Sequence, residues 1–166
     1  IVSNENTIET YDEDASAMGR INAWRYSINA ANDNITGVGL DAWSSETFLI
    51  YAPNPDDVHA AHSIYFSVTA DHGWPGFFLF SMIFFMTWRL LQRIINETKE
   101  FKYNIEYESL ARMLQISLIA YLSGGAFLSL SYFDLPWHLI SFTVLLNEFV
   151  KKEIVINQDL VQNSKM

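Results

Sequence analysis

The sequence predicts an all-α chain, part of a polytopic membrane protein in which a large acidic loop is followed by three transmembrane helices. Three observations carry this. Residues 1–73 hold 11 acidic and 2 basic side chains, and so the whole net charge of −9, whereas residues 74–166 hold 8 of each. Apolar residues, 50% of the 166, are concentrated in that neutral stretch and form long runs. The remaining bases cluster where such runs would leave a bilayer. A uniformly soluble acidic globule is excluded, and no basic stripe exists to neutralise nucleic-acid phosphates. There is no cysteine, so disulfide and thiolate chemistry are excluded. The chain begins at Ile1 without a signal peptide, and we expect it to be part of a longer protein.

Three regions follow: an acidic loop with amphipathic helices (1–73), a membrane region (74–156) and a polar cytoplasmic tail (157–166). Residues 1–15 are polar without an apolar period and predict an extended loop. From Ser16 to Ala31, Met18, Ile21, Trp24, Ile28 and Ala31 recur at three- and four-residue steps and predict an amphipathic helix. Arg20 and Trp24, four apart, share a face. Asn32 to Gly39 breaks the pattern, and Gly37 and Gly39 permit a tight turn. Tyr51 to Asp57, with two prolines, predicts an irregular loop, and a short helix over about Ala60–Asp71 runs into Gly73.

The first span is Trp74 to Leu91, 18 residues whose only charge, Arg89, can snorkel from one end. Its helical length of about 27 Å approaches the hydrocarbon thickness of a bilayer. The second run covers Leu110 to Phe133. Within it Ser123-Gly124-Gly125-Ala126 allows either a close helix contact or a kink. Asp134 and Pro136 suit the cap and first turn of a third helix. That run, Pro136 to Val150, either extends to Ile156 with Lys151 and Lys152 snorkelling, or is tilted or re-entrant. Arg89, Arg93, Lys99, Lys102 and Arg112 flank one connection and Lys151 and Lys152 follow the third span, which puts both places in the cytoplasm. Residues 1–73 and Asp134 then face outward, to the periplasm in a bacterium.

Asp56-Asp57-x-His59-x-x-His62 has oxygen and imidazole ligands within reach of one ion, but a solvated loop explains the same residues, and no metal or cofactor is assigned. His72 and His138 read as interfacial residues. Gly37-Val38-Gly39 alone is a weak phosphate-loop signal, and no serine nucleophile elbow is present. Arg20 and Arg25 are the only bases among 11 acids; each suits either a salt bridge or the two-pronged recognition of a phosphate.

His62-Ser63, nine residues, then Gly73-Trp74-Pro75-Gly76 fits H-[NSQ]-x9-G-x-x-G, and with it the chain resembles the O-antigen ligase and polymerase superfamily of bacterial membrane proteins. Ser16-Ala17-Met18-Gly19-Arg20 with Trp24, Gly37-Val38-Gly39, Tyr51-Ala52-Pro53, Leu110 to Gln115 and Tyr132 to Pro136 resemble the exosortase A-associated O-glycosylation ligase branch. The resemblance covers about residues 15–155. It implies a glycan ligase of the bacterial inner membrane, with its catalytic loop in the periplasm. Such an enzyme moves a glycan from an undecaprenyl-diphosphate carrier to an acceptor hydroxyl on a protein, lipid or glycan, without a cofactor. It implies that His62 activates the acceptor and Arg20 holds the diphosphate. The family pattern does not settle Arg25 or His59; we assign them, with Trp24 and Ser63, as substrate-binding support, and Gly37, Gly39, Gly73 and Gly76 as structural motif residues. A further arginine of the family lies outside this fragment, which is not expected to act alone. Alternatives are a polysaccharide polymerase with the same donor, a metal-dependent lipid-linked glycosyltransferase using Asp56, Asp57 and His59, and a non-enzymatic membrane anchor or export subunit.

Overall fold

A computed structural model describes residues 3–40, 42–100 and 105–163. Among these there are five helices and no strand: α1 (Ser3–Asp33), α2 (Ser45–Tyr51), α3 (Ile64–Glu100), α4 (Ile105–Gly125) and α5 (Leu135–Asn163). The chain divides into two compact units, Ile1–Phe80 with Gly124–Ser131, and Ser81–Ser123 with Tyr132–Met166.

In the first unit, α1 is twice the expected length. The extended loop expected over residues 1–15 is instead helical from Ser3. No glycine or proline precedes Gly19, and acidic residues at this end of a helix complement its dipole. Polarity alone therefore did not specify a loop. The buried face also differs from the expected apolar stripe. Gly19, Asn22, Ala23, Tyr26, Ser27, Ala30 and Ala31 are buried, at helical spacing, while Met18 is 64% exposed and Ile21 and Ile28 are exposed with it. Small side chains on this face let neighbouring backbone approach α1, and Tyr26 is the large ring that enters the core from it.

Tyr26 is the centre of this core. Its ring stacks on Phe48 of α2 at 4.2 Å between centroids, and Ala23, Ala30, Ala42 and Ala70 close round it. Its hydroxyl donates to the Ala42 carbonyl. Burial pushes the phenol above its ordinary value of 10.0, against the hydrogen bond with Thr47 and with a contribution from the Asp71 charge. The helix α2 was not expected from sequence. It is nucleated by a capping box, in which the Ser44 hydroxyl accepts from the Thr47 amide while the Thr47 hydroxyl accepts from the Ser44 amide.

The helix α3 opens at Ile64, four residues later than expected, with the Ser63 carbonyl accepting the Ser67 amide (3.0 Å), and is interrupted at Gly73 (φ 65°, ψ −166°). Before the kink it runs for nine residues, Ile64 to His72, and these are the nine that separate His62-Ser63 from Gly73 in the sequence pattern. Pro75 carries no N–H, so it cannot serve the Asp71 carbonyl one turn back. The loop after α1 supplies the missing donors: the Val38 amide donates to the Ala70 carbonyl (2.9 Å) and the Gly39 amide to the Asp71 carbonyl (3.1 Å). Gly37 (φ 79°) and Gly73 lie back to back. A Cβ on Gly73 would stand 2.0 Å from the Ile35 carbonyl oxygen, and one on Gly37 would stand 2.5 Å from the Gly73 nitrogen. A Cβ on Gly76 would meet the His72 Cβ at 2.2 Å. The indole N–H of Trp74 donates to the Asn32 side-chain oxygen at 3.1 Å, tying the same junction to the end of α1.

In the second unit, Leu91, Ile94 and Ile95 of α3 pack with Ala111 of α4 and Leu146 and Val150 of α5. Gln115 donates across to Gln92 at 3.4 Å. The helix α3, over Ile64–Lys99, is long and apolar enough to cross a membrane, its 18-residue apolar stretch having a mean hydropathy of 1.4, and is the one such helix among the described residues. Along it Phe78, Leu79, Met82, Phe85 and Met86 are exposed, an apolar surface that suits lipid. The helix α4 carries Glu108, Arg112 and Gln115 in its first half and ends at Gly125, so the run expected to continue to Phe133 stops short. Residues 126–134 are irregular, and Ser123 to Gly125 end the helix rather than line its middle. Asp134 does cap α5, its carbonyl accepting the amides of Trp137 and His138 (3.1 and 3.3 Å). That helix runs to Asn163, through much of the segment expected to be a tail.

Candidate functional site

The residues singled out from the sequence collect in the first unit, along α1 and the segment 54–66. Asn22 fastens the two together. Its amide donates to the carbonyls of Asn54 (2.8 Å) and Asp57 (3.0 Å), and its oxygen accepts the Asn54 amide (2.9 Å). Further along, the His59 ring lies over Gly19, where a Cβ would come within 3.2 Å of it. Its Nδ1 pairs with the Asp57 carboxylate. Trp24 makes the third attachment. Its indole N–H donates to the Ala61 carbonyl at 2.8 Å and its ring stacks on Phe66 at 5.0 Å. With its polar atom and one face so engaged, Trp24 braces α1 against the segment that bears His62.

Arg20 lies one residue from Gly19 and one turn from Trp24, on the side of α1 that faces residues 59–66. Its side chain is half-buried, and it makes no ion pair among the described residues. Arg25 is on another face. It is exposed and lines a cleft of about 180 Å³ with Met18, Ile21, Asn22, Pro53, Asn54 and Asp57. Arg20 and Arg25 are five residues apart, about 140° round the helix, and address different surroundings.

His62 is the non-glycine residue with positive φ (46°) among the described residues. L-residues avoid this region because Cβ crowds the backbone, and outside glycine it marks a turn or a held conformation. The turn takes the chain out of the irregular segment and into α3. It leaves the imidazole exposed, with Nδ1 3.2 Å from the Ser129 hydroxyl. Ser63 is fully buried, and its hydroxyl has no hydrogen-bond partner among the described residues. It therefore stands behind the site rather than on its surface. Gly37, Gly39, Gly73 and Gly76 form the kink and its backbone cap, all outside the exposed chemistry. Apart from the Asp57–His59 pair, no group of three or more His, Cys, Asp or Glu side chains able to hold a metal ion occurs among the described residues.

Three contributors escaped the sequence reading. Asn22 sat among presumed solvent-facing positions. Gly19 was noted only within the Ser16-to-Arg20 motif, with no role of its own. Ser129 lies 67 residues beyond its partner, in a stretch read as part of a membrane helix.

The arrangement is that of an exposed imidazole and a half-buried guanidinium, mounted on one helix-and-loop assembly at the head of an apolar helix. Residues 1–81 match the family model described as O-Antigen ligase, a match that takes in α1, α2, the His62 turn and the Gly73 kink. No curated protein and no solved structure matches the chain.

Proposed function

We propose that this chain is the C-terminal part of a bacterial inner-membrane glycan ligase that transfers a glycan from an undecaprenyl-diphosphate carrier to an acceptor hydroxyl. The observation that carries the reading is the exposed His62 turn, set within the region that matches the O-antigen ligase model and leading directly into the apolar helix. In this reading residues 1–73 lie in the periplasm, and α3, α4 and α5 supply three spans, with Lys99 and Lys151 on the cytoplasmic side. The acceptor is a protein, a lipid or a glycan, and the sequence motifs resemble the exosortase-associated branch.

The chemistry suits these side chains. As the glycosidic bond breaks, charge builds on the oxygen leaving with the lipid diphosphate. A guanidinium held at that place stabilises the transition state more than the ground state. Arg20 fills this role, since its planar fork matches two phosphate oxygens and no described carboxylate competes for it. The attacking hydroxyl must lose a proton, and imidazole is the side chain that exchanges one near neutral pH. His62 fills that role. A diphosphate at headgroup depth, with its prenyl tail in lipid, would meet both groups near the start of α3.

The test is transfer of a lipid-diphosphate-linked glycan by the full-length protein in membranes, normalised for expression. His62→Ala should lower turnover by about 100- to 10,000-fold, the range for removal of a positioned base. Arg20→Lys keeps the charge but loses the fork, and should impair transfer as well. Wild-type turnover in His62→Ala would overturn the assignment of the base. Chelator treatment should leave transfer intact; a loss restored by Mg²⁺ or Mn²⁺ would favour the metal-dependent alternative.

A further inference from the structure

We infer that Ser129 is a positioning residue for His62, and that the segment Gly124–Ser131 exists to deliver it; this rests on His62 acting as the base of the reaction proposed above. The Ser129 hydroxyl stands 3.2 Å from Nδ1 of His62. The segment is fixed at its start by Gly125, which packs so closely on Ile64 that a Cβ there would lie 2.6 Å from the Ile64 side chain. A short turn follows, with the Phe127 amide donating to the Gly124 carbonyl (3.1 Å) and the Leu130 amide to the Leu128 carbonyl (2.9 Å). Gly125 thus sits against the first residue of α3, two positions from His62, and Ser129 comes back over the imidazole. These residues group with the first unit although the chain on either side of them belongs to the second.

The bond has a chemical consequence. An exposed imidazole on a left-handed turn has two tautomers and a rotatable ring, and only one arrangement serves as a base toward a given acceptor. With Ser129 accepting from Nδ1–H, the lone pair at Nε2 points away from the serine and is ready for a proton. In the transfer step the acceptor O–H gives its proton to Nε2 while its oxygen forms a bond to the anomeric carbon. The bond from that carbon to the diphosphate oxygen breaks, and its electron pair leaves with the lipid diphosphate. The imidazolium keeps its Nδ1–H on Ser129 and then returns the Nε2 proton to water. Ser129 touches neither substrate.

A double-mutant cycle in the full-length protein tests this, with kcat, KM for the donor and thermal stability measured for each variant. Ser129→Ala should lower kcat about tenfold, the scale of a lost orienting contact, with donor KM and melting temperature unchanged. Ser129→Thr, which retains the hydroxyl, should restore most of kcat. In a His62→Ala background the Ser129→Ala change should have no further effect, because the two act as a unit. If His62→Ala lowers transfer as expected but Ser129→Ala leaves kcat intact, or lowers the residual rate of His62→Ala by the same factor as the wild-type rate, or is not rescued by threonine, Ser129 does not act through the imidazole. If His62→Ala itself retains turnover, the reading of His62 as base fails first, and separately.

Discussion

The nine-residue helix Ile64–His72 has a left-handed residue just beyond each end, and the two could hardly differ more. Gly73 is buried. Its backbone is pressed against Ile35 and Gly37 so closely that no side chain fits, and the carbonyls its kink releases are taken up by Val38 and Gly39. His62 is exposed, carries a full side chain, and adopts φ 46° with open surroundings and a serine beside its ring. At Gly73 the conformation is demanded by packing. At His62 a residue that dislikes the conformation has been kept in it. Within one spacing pattern, then, the glycines are architecture, and the histidine is the residue to which we assign chemistry. The helix between them is about 13.5 Å long at 1.5 Å per residue.

The sharpest way to break this comparison is to exchange the demands. Gly73→Ala adds a Cβ at 2.0 Å from the Ile35 carbonyl and an unfavourable φ. It should destabilise the protein by roughly 3 kcal/mol or more, and its expected signature is loss of folded protein in membrane preparations and a lowered melting temperature in detergent. His62→Gly should do the reverse. Relief of the left-handed strain, about 1–2 kcal/mol, offsets the entropy cost of glycine, about 0.5–1 kcal/mol. Stability should be unchanged or higher, while glycan transfer falls by about 100-fold or more. A variant that loses both stability and turnover would place His62 with the architecture after all.

Smaller effects sharpen the picture. Trp24→Phe keeps an aromatic face for Phe66 but removes the donor to Ala61. It should cost about 1 kcal/mol of stability and, by loosening the segment that bears His62, reduce kcat more than it raises donor KM. Gly39 shares the left-handed backbone (φ 89°) yet has nothing within 4 Å of an added Cβ. Gly39→Ala should therefore cost only the conformational term, about 1 kcal/mol, well below Gly73→Ala by the same unfolding assay.

Tyr26 supplies a pH test of the first unit's core. Its phenol is raised on folding, chiefly by burial. The folded state therefore favours the protonated form. This contribution is fully present below the unfolded value of about 10 and is lost as pH rises through the folded value. Chemical unfolding at pH 8 and pH 11 should show falling stability in the wild-type protein and a shallower fall in Tyr26→Phe. Equal slopes would remove Tyr26 from the linkage.

Much of this was legible in the chain. The charge split and the apolar run after Trp74 imply helices and an apolar span, and Gly73-Trp74-Pro75-Gly76 marks where the short helix meets that span, because these follow from local composition and backbone chemistry. The spacing from His62 to Gly76 pointed to a candidate site only through the family resemblance; the structure makes it a turn, a helix and a kink in succession. Other features depended on which surfaces meet. The buried face of α1 is chosen by the close approach of residues 54–66, so Asn22 and Gly19 face inward while Met18 and Ile28 face out, against the hydrophobic pattern. The loop at Gly37 and Gly39 is visible as a turn, but its task, supplying amide donors to the two carbonyls that the kink at Gly73 and Pro75 leave open, appears only when the two backbones are brought together. Ser129 beside His62 is the extreme case. Local sequence encodes backbone preference and polarity, and neither carries information about a partner 67 residues away; that contact exists only because Gly125 allows the returning chain to pack on Ile64.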